Sequence, residues 1–260
     1  MNELFVDYII FAKKERMESL KQRRTIRKYQ QKDISADLLN DLLETSFRAS
    51  TVGNMQVYSV IVTRDAERKA KLAPAHFNQP MVRTAPVVLT FCIDLRRFSK
   101  WCEQRKAEPG YYKFEWVVAA AVDTLLKEKN YCVAAEVEGL GICYLGSTTY
   151  NPQMIVEALE LPELVFPITT VTVGWPAEQP EQVDRLPLEA IVHEEVYHDY
   201  TPQDIDRLYA YKESLPENKQ FILENNKETL AQVFTDVRYT KKDSEAMSEN
   251  LWKIMKKQGF

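Results

Sequence analysis

FEWVVAAAVDTLLKEKNYCVAAEVEGLGICYLGS, residues 114–147, decides the architecture. Residues 114–138 contain no Gly or Pro and are rich in Ala and Leu, so they predict one long helix, largely buried in its first half. Gly139 and Gly141 end that helix, and Ile142-Cys143-Tyr144-Leu145 forms a short strand. The glycine spacing imitates a dinucleotide fingerprint, but that fingerprint lies between a strand and the helix that follows it. Here the helix comes first, so the likeness is superficial. Gly146 is different: with Ser147 and Thr148 it leaves an apolar strand and opens backbone amides, which suits close approach of a planar ligand or its polar edge.

Outward from this stretch, strands alternate with helices. The run from Pro86 to Ile93 is continuously apolar and β-rich, the mark of a strand covered on both faces and central in its sheet. Tyr58 to Thr63 reads as a strand, and Phe166 to Trp175 as another, ended by Pro176. Ser35 caps a helix through Leu38, Leu42 and Phe47, which breaks at Ser50-Thr51-Val52-Gly53-Asn54. Shorter helices are expected at 65–73 and, after Asn151-Pro152, at 152–160. Residues 176–201 form an extended, turn-rich excursion, and helical period returns at 202–215 and 244–257. At the other end, Leu4, Tyr8, Phe11, Met17 and Leu20 give residues 3–22 a helical spacing that stops at a basic cluster.

Composition narrows the class. The chain has 260 residues, 45% of them hydrophobic, enough for a large core and a folded, enzyme-sized unit. Gly and Pro together number 19, below the average of roughly 12% of residues, which argues against low-complexity or collagen-like chains. With 34 Lys+Arg against 38 Asp+Glu the net charge is −4, so there is no global attraction to nucleic acid. No run approaches the ~20 apolar residues of a membrane span, and the N-terminus lacks a cleavage site. The expectation is a soluble, untargeted protein. Cys92, Cys102, Cys132 and Cys143 form no CxxC pair, which fits reduced thiols in the cytoplasm better than disulfides or zinc.

Among candidate motifs, His193 and His198 invite comparison with the zinc pattern HExxH. Their i, i+5 spacing puts them about 140° apart on a helix, so a metal site is set aside. With three histidines in the chain, His76 isolated among them, a Ser-His-Asp site has little support. Arg23, Arg24, Thr25 and Arg27 place three guanidiniums and a hydroxyl within five residues, a density suited to a phosphate monoester or to a solvated basic helix end. Ser50, Thr51, Asn54 and Gln56 lie in a polar run between a helix and a strand, and amide side chains there can read the heteroatom edge of a ring. Gln79 is one more amide, just before the central strand.

Together these segments resemble the FMN-dependent nitroreductase superfamily, in particular its A-type branch of NADPH-linked, oxygen-insensitive nitroreductases and flavin reductases. The resemblance covers nearly the whole chain and rests on six matches in family order: RRTIRKY at 23–29, RASTVGNMQVYSVIV at 48–62, Gln79, GLGICYLGS at 139–147, VTVGWP at 171–176 and DRLPLEAIVHEEVY at 184–197. It implies an α+β fold with a central, mostly antiparallel mixed β-sheet flanked by helices. Residues 1–260 would form a single FMN-binding domain, 176–260 being an extended excursion and C-terminal helical segment.

The resemblance also implies roles. Arg23, Arg24, Thr25 and Arg27 would hold the FMN phosphate and the O2 side of the ring, with Arg185 closing on the phosphate. Ser50, Thr51, Asn54 and Gln56 would line the ribityl and isoalloxazine edges, Gln79 the pyrimidine end, and Tyr144, Leu145, Gly146 and Ser147 the ring itself. Val183 stands where the family has a lysine, and Val57-Tyr58 where it has Pro-Trp, departures that lower the expected flavin affinity. Arg207 and Arg238 lie where the branch places NADPH-selecting arginines, without a clear match, so NADPH or NADH could be the donor. The implied reaction is ping-pong: hydride passes from NAD(P)H to FMN and then to a nitroaromatic, quinone or flavin, with no catalytic acid–base side chain and no metal. A homodimer is implied, and a non-catalytic FMN-binding module is the alternative.

Overall fold

In a computed structural model, residues 18 and 20–260 are described. The helix expected at 3–22 falls almost wholly outside them. The chain divides into two compact units, the described residues up to Glu181 together with Met247–Phe260, and Gln182–Ala246.

Every residue of the strand Val87–Asp94 is buried, as its unbroken apolar run requires. The sheet of the first unit comprises Tyr58–Thr63 (β1), Val87–Asp94 (β2), Gly141–Leu145 (β3) and Val165–Gly174 (β4). Its order is β1-β2-β4-β3, and all three pairings are antiparallel. Side chains of β2 alternate between two cores. Leu89 and Phe91 meet Leu39 and Leu42 of the helix Ala36–Ser46 (α1) and Tyr131 of the long helix. Val88 faces the other way, towards Leu72 of Ala66–Leu72 (α2), Met81 of Pro80–Thr84 (α3) and Ile155 of Pro152–Leu159 (α6). Between α3 and α6 in the chain come Arg96–Gln104 (α4) and the long helix Phe114–Val137 (α5). Ser35 caps α1 by accepting from the Leu38 N–H. The sequence patterns did not announce α3, a short helix opened by Pro80, or α4, whose Phe98, Trp101 and Cys102 have helical spacing within an otherwise polar run.

Two expectations about the 114–147 stretch are corrected. The first half of α5 is not largely buried: Val118, Val122, Leu125 and Leu126 are exposed, while Asp123, Thr124, Lys127 and Glu128 face inward. Asp123 and Lys127 meet backbone and hydroxyl groups of the loop after α1, as described below, while Thr124 donates to the Ala120 carbonyl and Glu128 accepts from the Cys132 thiol. Gly141 does not cap the helix; it opens β3, where a Cβ would stand 2.7 Å from the side chain of Ile26. The cap is Gly139, at φ +79°, with its N–H on the Glu136 carbonyl and the Leu140 N–H on that of Ala135, the paired bonds of a Schellman turn.

In the second unit a capping box of Thr201 and Asp204 starts Pro202–Ser214 (α7). Pro216–Glu224 (α8) and Leu230–Val233 (α9) follow, the latter running into a π turn over Phe234–Arg238. The last helix is Lys241–Lys257 (α10). Among the described residues no helix is long and apolar enough to cross a membrane.

Candidate functional site

The order of strands leaves β3 at an edge, and the basic segment after residue 22 fastens to that side of the sheet. The Ile26 N–H donates to Ile142 O at 3.0 Å, Gln30 N–H to Trp175 O at 2.9 Å, and Tyr29 bridges Pro176. One carboxylate oxygen of Glu178 accepts from the N–H groups of both Arg27 and Lys28, at 2.7 and 3.0 Å. A cluster that could have been a frayed helix end is therefore held as an extended segment with its register fixed. Arg23, Thr25, Arg27, Lys129, Glu128 and Tyr144 line a cavity of about 350 Å³ here. Arg23 also faces Glu136 at 3.1 Å. Glu128 accepts from the Cys132 thiol, and burial pushes its carboxyl above the usual carboxylate range, which weakens the one negative contribution to the lining. Arg24 lines a neighbouring cavity with Glu136 and Glu178, and its buried Nε has no hydrogen-bond partner. The three cations and the hydroxyl of the first cavity are a donor set that fits the phosphate of FMN.

The second element is the loop 50–56. Its backbone is left-handed at Gly53 (φ +53°), Asn54 (φ +55°) and Gln56 (φ +55°). Asn tolerates that conformation and Gln less so, so something must impose it. Helix α5 does: Asp123 accepts from the Thr51 hydroxyl and, at 3.0 Å, from the Val52 N–H, while Lys127 donates to the Ser50 carbonyl. Thr51 Oγ1 in turn accepts the Gln56 N–H at 3.2 Å, and Arg97 donates to the Gln56 carbonyl. The Lys127 ammonium lies 4.7 Å from the centroid of the Tyr58 ring. Burial lowers its pKa, and the Asp123 charge opposes that shift. The amide side chains of Gln56 and Asn54 remain exposed and bond each other at 3.4 Å.

The third element joins two loops. Gln79, half-buried, precedes α3 and donates its N–H to the His76 carbonyl at 3.1 Å. The His76 imidazole, fully buried, places Nδ1 3.0 Å from Ser147 Oγ in the 3-10 turn Gly146–Thr149. Tyr144 is half-exposed, and Leu145 is buried in the core.

The structure thus brings Arg23, Thr25, Arg27 and Tyr144 to one cavity, and Gln79 to Ser147 through His76. The cavities at the basic segment are lined by none of Ser50, Thr51, Asn54 or Gln56. Arg185 lies in the second unit, where its guanidinium donates to the carbonyls of Val183 and Asp184. Arg207 of that unit is paired with Glu189 and Asp204, and Arg238 stacks on Phe221 at 4.3 Å. His193 and His198 sit in consecutive turns rather than on a helix; His193 Nδ1 accepts the His198 N–H, and its Nε2 lies 3.2 Å from the Tyr200 hydroxyl.

The model of the nitroreductase family matches residues 20–79, the segment that carries the basic cluster, the 50–56 loop and Gln79. A Bacillus subtilis (strain 168) protein named FMN reductase [NAD(P)H] is 34% identical over 222 residues, covering 82% of this chain and 86% of that protein. The chain belongs to the nitroreductase family. Its fold agrees with the nitroreductase NfrA1 of B. subtilis at a TM-score of 0.83, with 27% identity over 94% of this chain and 98% of the other. The crystal structure of a Bacteroides fragilis NCTC 9343 protein superposes at 0.92, with 72% identity over 93% of this chain and 98% of that one. Four residues that hold these candidate elements escaped sequence reasoning: Asp123, Lys127, His76 and Glu178. The first two did leave a signal, an acid and a base four apart inside an otherwise apolar helical run.

Proposed function

We propose that the chain is an FMN-dependent NAD(P)H oxidoreductase that reduces nitroaromatics, quinones or flavins in a ping-pong reaction. The observation that carries this reading is the cavity whose lining combines Arg23, Thr25, Arg27 and Lys129. Bound there, FMN would supply a carrier that takes a hydride from the nicotinamide and delivers two electrons to the acceptor. Arg23, Arg24, Thr25 and Arg27 would hold its phosphate. Ser50, Thr51, Asn54, Gln56 and Gln79 would line its edges, and the Tyr144–Ser147 stretch its ring. Positive charge beside the ring would favour the reduced, anionic form. Donor and acceptor would then use one open face in turn.

The outward apolar stripe Val118, Val122, Leu125 and Leu126 on α5 supports a homodimer, since a second copy would remove it from water. All four cysteines are buried free thiols, as suits the cytoplasm.

The test is affinity for FMN against riboflavin. The wild-type chain should prefer FMN strongly, and Arg27→Ala should cost roughly tenfold or more in FMN affinity while leaving riboflavin unchanged, as expected for a charge-assisted bond to phosphate. Equal affinities for the two flavins would contradict the assignment of this cavity.

A further inference from the structure

His76 lies on the segment between α2 and α3, and its side chain is fully buried. Its Nε2 is also buried and has no hydrogen-bond partner. Filling the space with an aliphatic side chain would avoid that cost, so packing alone does not account for an imidazole here. What the imidazole adds is one bond, Nδ1 to Ser147 Oγ at 3.0 Å, between two loops that are distant in sequence. Burial holds its pKa down to about 4, so near neutrality the ring is uncharged and the pair shares its hydrogen bond without a net charge.

The same residue governs both loops. Its carbonyl accepts the Gln79 N–H, and its ring holds the hydroxyl of Ser147. Neighbouring contacts brace the junction: Asn151 donates to the Ala75 carbonyl at 3.3 Å, and the Phe77 and Tyr150 rings meet edge-on. Phe77 and Asn78 are both left-handed, at φ +54° and +53°, so the turn that delivers Gln79 is set by its surroundings rather than by local preference. In either tautomer the Ser147 hydroxyl is oriented by the ring.

We infer that His76 is a positioning residue for the bound flavin ring, clamping Ser147 and Gln79 at one spacing so that the 146–147 amides and the Gln79 side chain meet the ring together. This rests on the proposed FMN site and adds a residue that neither spacing nor motif assigns. His76 touches neither donor nor acceptor; it acts through Ser147 and through the backbone of Gln79.

The experiment compares His76→Leu, His76→Asn and Ser147→Ala with the wild-type full-length chain. FMN affinity is measured by fluorescence quenching, the visible spectrum and midpoint potential on the bound flavin, and the melting temperature on the apoprotein. His76→Leu and Ser147→Ala should each weaken FMN by roughly tenfold, the worth of one buried hydrogen bond, and shift the flavin band and potential in the same direction. The double variant should add nothing further, and His76→Asn, which keeps a polar atom near the Nδ1 position, should restore most of the effect. If His76→Leu does not fold, Ser147→Ala decides. A wild-type spectrum, potential and affinity in Ser147→Ala, or in a folded His76→Leu with only its melting temperature lowered, would overturn the inference. A wild-type chain that binds no FMN overturns the cofactor site as well, so the two failures are distinguishable.

Discussion

At the scale of single residues, His76 makes stability depend on pH in a definite sense. Its imidazole is held down to about 4 in the folded chain and titrates near 6.5 when unfolded. Between those values the unfolded chain binds the extra proton, so stability falls as pH is lowered from 6.5 towards 4. The contribution is about 3 kcal/mol at full extent. Denaturant unfolding of the wild type and of His76→Gln should therefore converge as pH drops through this window; parallel pH profiles would contradict a buried neutral imidazole. By contrast, Tyr144 and His193 are expected to be dispensable for hydride transfer, and alanine at either position should leave the rate of flavin reduction within roughly tenfold of wild type, well short of the 10²–10⁴-fold that loss of general acid–base catalysis brings. A near-total loss would require an acid–base role that this account denies. Arg23, Thr25 and Arg27 stood out in the sequence by the local density of guanidiniums, but spacing alone left a solvated basic helix end equally open, and only the resemblance pointed to a phosphate. His76 did not stand out, because nothing in its neighbours along the chain announces Ser147, which is far off in sequence and comes close only through the packing of two loops.

At the scale of elements, α5 is the organiser. Its inward polar face is a template for the loop 50–56, and its outward face exposes Val118, Val122, Leu125 and Leu126. Asp123→Ala would strand the Thr51 hydroxyl and the Val52 N–H and leave Lys127 buried without its counter-charge. The expected cost is about 3 kcal/mol in unfolding free energy, together with weaker flavin binding, whereas Asp123→Asn should recover part of both. A loss below about 0.5 kcal/mol would remove Asp123 from its place as template. On the outward face, Val122→Glu with Leu126→Glu should convert a dimer to a monomer in light scattering without loss of helicity. A dimer that survives both charges would move the interface elsewhere. The existence and length of this helix were plain from the absence of Gly and Pro. The sense of its faces was not, because hydrophobicity says that a side chain leaves water, not whether it does so within one chain or between two. The strand Val87–Asp94 was easier, since a run apolar at every position has no solvent face to misassign.

At the scale of the whole molecule, the helix, strand and turn signals showed only that strands alternate with helices; the α+β architecture came from the resemblance to the nitroreductases, a likeness that held across 94% of the chain. The excursion after residue 181 was harder. Its short helices α8 and α9 are punctuated by Pro216 and the Thr229 cap rather than by a long apolar period, so turn chemistry rather than burial defines them. Arg207 and Arg238 were equally obscure, for Arg207 is committed to two carboxylates of its own unit. A ping-pong flavoenzyme is the claim that binds these observations together. Its most direct test is the visible absorption spectrum of the purified protein after loading with FMN, before and after anaerobic addition of NADPH and then of NADH. The account predicts a bound-flavin spectrum that bleaches on addition of a nicotinamide donor and returns on addition of a quinone. A flavin that stays oxidised with both donors would make the chain a binding module, and a chain that takes up no FMN at all would contradict the account at its root.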